Sequence, residues 1–317
     1  GSRVGGERGG ATGTGGGGHG AGARDREVGG RYPEIDMVIG GHEHYLMTDI
    51  DGKALISKAG SDARTVARID VNRRPGGATE RFYELLPITS ALADDAKTAG
   101  VIAAWESRLG PALDSVVGSS AVPLDGINLH LHLSETNLGN LVADAIRADG
   151  RADLAIVNAG SLRGNRLYPA GPLTRRRLLE IHPFNNVVTV VAVPGRIVLA
   201  ALNHGVSMLP VSNGRFPQVS GVTMEVDATA AVGSRVRNVR VGGRPLDLEK
   251  TYTVAISDFV MRGGDDYTMF KDQPVTIAPE AGDTVSAALE KYVAANGTIA
   301  PAVEHPITVR QTPAPDP

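Results

Sequence analysis

The sequence contains no cysteine, and this absence excludes several kinds of functional site. Without thiols the chain can form no disulfide bond, use no thiolate nucleophile and bind no zinc ion through sulfur. Histidine, aspartate, glutamate and asparagine therefore remain as the candidate metal ligands.

The sequence also lacks long apolar runs and a strong excess of charge of either sign. No stretch of about 18 apolar residues occurs, so the sequence predicts no membrane-spanning helix. Lysine and arginine total 32 against 35 aspartates and glutamates, which gives a net charge of -3. A chain of this kind has no overall positive field that would attract nucleic acid, so any selectivity for phosphate must be local.

Residues 1–31 have few apolar side chains and are rich in glycine, with 14 glycines among the first 30 residues. Such a composition cannot form a packed core, and we expect this segment to be disordered. It also lacks the apolar centre of a secretory signal, so we expect no signal peptide in it.

The rest of the sequence predicts a mixed α/β protein with two ordered parts. Residues 32–86 contain short strand-like apolar runs, and residues 87–112 have a helical pattern that predicts a linker helix. Strands and helices then alternate through residues 113–312, before a tail at residues 313–317.

The individual elements follow from apolar periodicity and from turn and capping residues. The clearest helix is predicted over residues 137–148, with Asn137 as its N-cap. Two further helices are predicted over residues 195–208 and from a cap at Asp283 to Ala295. Strands are predicted at residues 35–39, 54–57, 66–71, 154–157, 187–193, 219–226, 236–241 and 252–256.

A candidate metal site follows the first predicted strand, where Gly40 and Gly41 precede His42 and His44. Two neutral imidazoles suit zinc, manganese or iron. An isolated H-x-H is more often a pair of exposed loop histidines, but the preceding strand and double glycine favour ligation.

The segment from Ile35 to His44 resembles the final metal-binding motif of calcineurin-like metallophosphatases. The resemblance implies that His42 and His44 are ligands of a centre of two divalent metal ions, such as zinc or manganese. In that family the other ligands come from earlier D-x-H, G-D-x-x and G-N-H-E segments, which this sequence does not contain. We therefore expect residues 32–86 to be a truncated remnant of a metallophosphatase β-sandwich, with a metal centre that is not fully assembled.

Five motifs follow one another in the second half of the sequence. They are E-T-N-L-G-N-L at 135–141, N-A-G-S-L-R at 158–163, H-P-F-N-N at 182–186, S-D-F at 257–259 and R-G-G-D-D-Y at 262–267. The second comes directly after a predicted buried strand, where small residues allow a ligand close to the backbone and an arginine can offer a planar fork to phosphate.

From about Leu124 to Phe270 these motifs, in this order, resemble the C-terminal substrate-binding domain of 5′-nucleotidases. The resemblance implies that Asn158 contacts the base, Arg163 the phosphate and Asp265 the ribose. It also implies that Phe184 and Phe259 sandwich the base, which is plausible because every base offers a π-face. A phenylalanine chosen at random is more often a core residue, but the shared motif context favours stacking here.

The chain departs from the family at two positions that precede the first motif. Two phosphate-binding arginines of the family align with Asn128 and His132, so two fixed positive charges are missing. We expect weaker binding of phosphate, with a pH dependence through His132 if its ring faces the site.

The resemblance implies metal-dependent hydrolysis of nucleotide phosphoesters to nucleoside and phosphate, outside the cytoplasm or at the cell surface. The expected ligand is a small nucleotide or nucleoside, while no catalytic residue and no oligomeric state are indicated. Two alternatives remain: a nucleoside-binding module without catalysis, and a cyclic-nucleotide phosphodiesterase or sulfur-oxidation hydrolase of the same architecture.

Overall fold

The computed structural model describes residues 3–5, 23–41, 44, 46–51, 54–73, 75, 79–304 and 307–310. The chain forms two compact units, residues 1–103 (unit 1) and residues 104–317 (unit 2). Within the described ranges, every helix is too short or too polar to cross a membrane.

The described residues of unit 1 up to Pro87 form two small sheets and one helix. Its elements are β1 (Arg3–Gly5), α1 (Ala23–Arg31), β2 (Ile35–Gly40), β3 (Leu46–Asp51), β4 (Ala54–Ala59), β5 (Thr65–Arg73) and β6 (Thr79–Pro87). One sheet has the order β1-β2-β4-β3, and β5 pairs with β6 in an antiparallel hairpin. The assignment of residues 32–86 to a truncated metallophosphatase domain stays a prediction.

Helix α1 lies inside the segment that the sequence predicts to be disordered, so that prediction does not hold for residues 23–31. The helix is anchored by an ion pair between Asp25 and Lys58 of β4, whose carboxylate oxygen and ammonium nitrogen are 2.6 Å apart. The Lys58 side chain is 4% exposed, and a buried charge of this kind needs a partner. Composition alone does not show this contact.

The predicted linker helix begins later than the sequence indicates. Strand β6 ends at Pro87, and α2 spans Ala96–Leu113. The carboxylate of Asp95 accepts a hydrogen bond of 2.8 Å from the backbone N–H of Thr98, which stabilises the first turn of α2.

Unit 2 is a mixed α/β structure, as the sequence predicts. Its helices are α3 (Asn128–Leu131), α4 (Asn137–Gly150), α5 (Arg175–Ile181), α6 (Gly195–Gly205), α7 (Asp258–Met261) and α8 (Val285–Asn296). Its strands are β7 (Val116–Ser120), β8 (Leu124–Asp125), β9 (Leu154–Asn158), β10 (Leu167–Tyr168), β11 (Gly171–Thr174), β12 (Val188–Pro194), β13 (Pro217–Ser220), β14 (Val222–Asp227), β15 (Val236–Val241), β16 (Arg244–Pro245), β17 (Thr251–Ser257), β18 (Val275–Ile277), β19 (Thr298–Ile299) and β20 (Ile307–Arg310).

A five-stranded sheet with the order β13-β9-β17-β12-β18 forms the centre of unit 2. Strand β9 is buried at every position, as its continuous apolar run predicts. Helix α4 packs on β9 and β13 through an apolar face that includes Leu138, Leu141 and Val142. The core of the unit therefore lies between this helix and the sheet.

Three predicted boundaries differ from the structure for local reasons. The N-cap of α4 is Thr136, whose hydroxyl accepts from the N–H of Gly139, whereas the Asn137 side chain bonds to residues 123 and 125. Thr284 rather than Asp283 caps α8 in the same way. The strand predicted over residues 219–226 is interrupted at Gly221, where φ is +72°.

Gln218 on β13 is a fully buried side chain that ties three segments together. Its carbonyl accepts a hydrogen bond of 3.1 Å from the N–H of Thr136. Its amide donates to the carbonyls of Leu131 at 2.9 Å and Ser134 at 2.7 Å. Gly139 makes room for this side chain, because a Cβ there would overlap it. Gln218 therefore fixes the segment between α3 and α4 against the sheet.

His182 follows α5 and is 1% exposed. Burial lowers the pKa of its imidazole to about 4. The ring is therefore neutral at physiological pH, and protonating it in the folded state is unfavourable.

Replacing Gln218 by leucine should lower the free energy of unfolding by about 3 kcal/mol, because three backbone groups lose their partner inside the core. Urea unfolding at pH 7 measures the change. The control is Gln273→Leu, because Gln273 is only half buried and its amide donates to the carbonyl of Met269 alone. Equal effects of the two substitutions would contradict the role given to Gln218.

His182 should make the protein less stable as the pH falls from about 6.5 to 4. The unfolded chain takes up a proton near pH 6.5, whereas the folded chain does so only near pH 4, so protons favour the unfolded state within this window. The loss reaches about 3 kcal/mol at pH 4. Urea unfolding of the wild type and His182→Gln at pH 7, 5.5 and 4.5 measures it. As the pH falls, the wild type should lose more free energy of unfolding than the variant. A difference between the two proteins that stays constant with pH would show that His182 does not titrate in this window.

Candidate functional site

Strand pairing brings four loops of unit 2 to one edge of the central sheet. Strands β9 and β17 are parallel, with Val254 opposite Leu154, so their carboxyl ends lie together. Antiparallel pairing places the starts of β12 and β13 at the same edge, because Val188 is opposite Ser257 and Pro217 is opposite Asn158. The loops at residues 158–163, 182–187, 211–216 and 258–267 therefore leave the sheet side by side. Crevices outside the carboxyl ends of parallel strands are common binding sites.

The two loops that carry Phe184 and Phe259 are joined by Asp258. Its carboxylate accepts hydrogen bonds of 3.0 Å from the Asn186 amide and 3.1 Å from the Val187 N–H. Its own N–H donates to the Val187 carbonyl at 2.9 Å. These bonds fix the separation of the two loops before any ligand is present.

Neither phenylalanine belongs to the buried core. The Phe184 side chain is 38% exposed and that of Phe259 is 41% exposed, whereas Phe216 and Phe270 are each 1% exposed. The Phe259 ring lies on Gly264, where a Cβ would overlap it. Exposed apolar rings held at the rim of a site are suited to stacking on a flat ligand.

Arg163 and His182 contact the Phe184 ring from two directions. The guanidinium carbon of Arg163 is 5.2 Å from the ring centroid, within the range of a cation–π interaction. The His182 ring meets Phe184 edge to face, with centroids 5.8 Å apart. The N–H of Arg163 donates to the Ile181 carbonyl at 2.8 Å, which joins the first loop to the second.

The side chains of Asn158 and Asp265 contact each other within the site. Asn158 is 3% exposed, and its amide donates a hydrogen bond of 2.7 Å to one carboxylate oxygen of Asp265. Asp265 is half buried and lies in a left-handed backbone conformation with φ +49°. The two residues are 107 positions apart in the sequence, and the sheet brings them together.

The structure adds two residues that the motifs do not indicate, His204 and Arg215. The Nε2 of His204 is 2.8 Å from the carbonyl oxygen of Asp265. Burial lowers the pKa of His204, so its ring is largely neutral at pH 7. Arg215 donates a hydrogen bond of 2.9 Å to the carboxylate of Asp266. Neither residue stands in a motif of recognisable spacing, so tertiary contact was the only signal that could reveal them.

The loop at residues 211–216 also contacts the predicted residues on both sides. The N–H of Gly160 donates to the Gly214 carbonyl at 2.7 Å, and the two backbones pack so closely that a Cβ on either would be crowded. On its other side, the hydroxyl of Ser212 is 3.4 Å from the Nδ1 of His132. His132 is half buried and lies at the C-cap of α3, which packs on residues 159–161.

The predicted metal ligands lie in unit 1. His44 is exposed and has a φ of +61°, while His42 lies outside the described residues. Across the described ranges, no three or more His, Asp or Glu side chains are grouped as metal ligands. A two-metal centre needs several such ligands, so the described residues by themselves do not fit one.

Comparison with known proteins gives the site a family context. The sequence profile of the family described as "5'-nucleotidase, C-terminal domain" matches residues 116–272. Protein 5NUC of Lutzomyia longipalpis is 28% identical over 332 aligned residues, which cover 90% of this chain and 58% of that protein. The 5'-nucleotidase of Vibrio cholerae serotype O1 is 27% identical over 84% of this chain and 53% of its own length. The chain thus spans little more than half the length of these relatives.

Solved structures show the same similarity. The 5'-nucleotidase precursor from Thermus thermophilus superposes with a TM-score of 0.79 and 26% identity, covering 92% of this chain and 62% of that one. The predicted C-terminal domain and the mixed α/β fold are confirmed by these matches. Residues 116–272 therefore match the 5'-nucleotidase C-terminal domain, and the chain is similar to 5'-nucleotidases over most of its length.

Proposed function

We propose that unit 2 binds a nucleotide or nucleoside at the edge of the central sheet, and that the complete protein hydrolyses the nucleotide phosphoester to nucleoside and phosphate. The observation that carries this proposal is the pair of exposed phenylalanines on two loops joined by Asp258. A flat base between two such rings buries apolar surface on both faces without requiring a particular pattern of hydrogen bonds.

The polar groups around the rings suit the other parts of a nucleotide. In the proposed complex, Asn158 contacts the base and the Asp265 carboxylate accepts hydrogen bonds from the ribose hydroxyls. Arg163 lies over one ring and carries a fixed positive charge, which suits a phosphate attached to the stacked nucleoside. His132 lies beside the loop at residues 211–216 and is a second candidate contact for the phosphate.

The hydrolytic step belongs to the proposal only for the complete protein. The named relatives are 5'-nucleotidases of which this chain covers little more than half. In the family resemblance the chemistry requires two divalent metal ions, with His42 and His44 as ligands from this chain. A nucleoside-binding module without catalysis is the second candidate function, because no group of three candidate ligands occurs among the described residues.

Calorimetric titration with adenosine and AMP, with and without manganese, tests the binding proposal. A parallel assay of phosphate release from AMP separates the two candidate functions. Binding with release supports the hydrolase, and binding without release supports the binding module. Failure to bind either ligand would contradict both.

The double variant Phe184→Ala/Phe259→Ala should lose binding of adenosine by more than about 100-fold, because stacking contributes about 1–3 kcal/mol per base. Calorimetry measures the affinity. The thermal transition should change little, because both rings are more than a third exposed. Phe82→Ala, which removes an exposed ring from unit 1, is the control for general effects. A large loss of stability in the double variant would show that the rings support the fold instead.

Replacing Arg163 by methionine should weaken the binding of AMP by about 10- to 100-fold, the effect expected from the loss of one charged hydrogen bond. The affinity for adenosine should change by no more than about twofold. Methionine keeps an apolar stem against the Phe184 ring while removing the charge. Calorimetric affinities of AMP and adenosine give the ratio directly. Arg166→Met is the matched control, since Arg166 lies nearby in the chain but pairs with Glu180. An equal loss for both ligands would show that Arg163 supports the ring rather than the phosphate.

A further inference from the structure

The turn that presents Asp265 has an unfavourable backbone conformation. Gly263, Asp265 and Asp266 have φ values of +88°, +49° and +63°. Glycine adopts such angles readily, but a residue with a Cβ does so at a cost. Two consecutive aspartates in this region therefore require surrounding contacts that keep the turn in place.

One side of the turn is held by an aromatic pair, the buried Tyr267 and the half-buried His204. Tyr267 is fully buried, and its hydroxyl donates to the Arg215 carbonyl at 2.7 Å. The His204 ring packs edge to face on Tyr267, with centroids 4.9 Å apart. From this position the Nε2 of His204 bonds to the Asp265 carbonyl at 2.8 Å, and since a carbonyl only accepts, Nε2 carries the hydrogen.

The other side of the turn is held by charge. The guanidinium of Arg215 is 2.9 Å from the carboxylate of Asp266, the residue after Asp265. The Arg215 side chain is 20% exposed and that of Asp266 is 74% exposed. An ion pair with one partner so exposed contributes little to the free energy of unfolding. Its effect is therefore expected on the geometry of the turn rather than on stability.

Arg215 is also connected to the opposite side of the site. Its neighbour Gly214 packs on Gly160, two residues after Asn158. Asn158 in turn donates to the Asp265 carboxylate. The loop at residues 211–216 therefore lies against both the strand end that carries Asn158 and the turn that carries Asp265.

We infer that Arg215 and His204 are positioning residues that hold the left-handed turn at Asp265 and Asp266, so that the Asp265 carboxylate faces a vicinal diol of the ligand. This inference rests on the proposed binding of nucleosides. It assigns no contact between either residue and the ligand: Arg215 acts through the carboxylate of Asp266, and His204 acts through the carbonyl of Asp265.

The test compares two substitutions at Asp266 that both remove the ion pair. Asp266→Ala leaves a Cβ in a left-handed conformation with no anchor, whereas Asp266→Gly adopts that conformation without strain. Calorimetry with adenosine and 2′,3′-dideoxyadenosine measures the contribution of the diol. It is expressed as the affinity for adenosine divided by the affinity for 2′,3′-dideoxyadenosine. Asp266→Ala should reduce this ratio by about tenfold, with the loss confined to adenosine, and Asp266→Gly should retain it.

Arg215→Met should reduce the ratio as Asp266→Ala does, and adding Asp266→Gly to Arg215→Met should restore it. Arg244→Met, on the exposed strand β16, is the control for loss of an arginine, and thermal unfolding of each variant detects general damage. His204→Gln, which keeps an N–H donor, should retain more of the ratio than His204→Phe.

Two outcomes would overturn the inference. If Asp266→Gly loses the ratio as fully as Asp266→Ala, the charge rather than the backbone conformation is what matters. If no variant changes the ratio although the wild type prefers adenosine, the turn does not depend on these residues. The proposed function fails separately, if the wild type binds neither nucleoside.

Discussion

The site depends on the way in which β9, β17 and β12 pair in the central sheet of unit 2. Parallel pairing of β9 with β17 brings two carboxyl ends to one edge, and antiparallel pairing adds the start of β12 at that edge. A shift of one residue in either register would turn each side chain to the opposite face of the sheet. The positions of Asn158, Phe184 and Phe259 therefore follow from the hydrogen-bond ladders before any side-chain contact is considered.

Side-chain hydrogen bonds then fix the loops that leave this edge. Asp258 joins the two loops that carry the exposed rings, and the Asn158 amide donates a hydrogen bond to the Asp265 carboxylate. Burial lowers the pKa values of His182 and His204 and raises that of Tyr267, which favours the uncharged form of these three side chains. Arg163 places a fixed positive charge over the Phe184 ring. The proposed site therefore combines two rings, a cation and a carboxylate, which suit the parts of a nucleotide.

The turn that carries Asp265 has an unfavourable backbone conformation. Asp265 and Asp266 are consecutive non-glycine residues with left-handed φ values. Such conformations persist only where the surroundings hold them, and here His204, Tyr267 and Arg215 surround the turn. Two of these contacts come from residues outside the motif that contains Asp265, namely His204 and Arg215.

The sequence by itself determined the mixed α/β class, strands β9, β12, β15 and β17 to within a few residues, and the similarity to 5'-nucleotidases, through motifs whose order and spacing are specific. It also indicated Asn158, Arg163, Phe184, Phe259 and Asp265 as candidate ligand contacts. It misplaced helix caps at Asn137 and Asp283, because threonine beside each accepts the capping hydrogen bond, and it missed α1, whose anchor is the ion pair of Asp25 with Lys58. Only the tertiary structure decided which rings are exposed and which residues hold the Asp265 turn. Burial and contact depend on residues far apart in the chain, and periodicity and motif spacing describe only near neighbours.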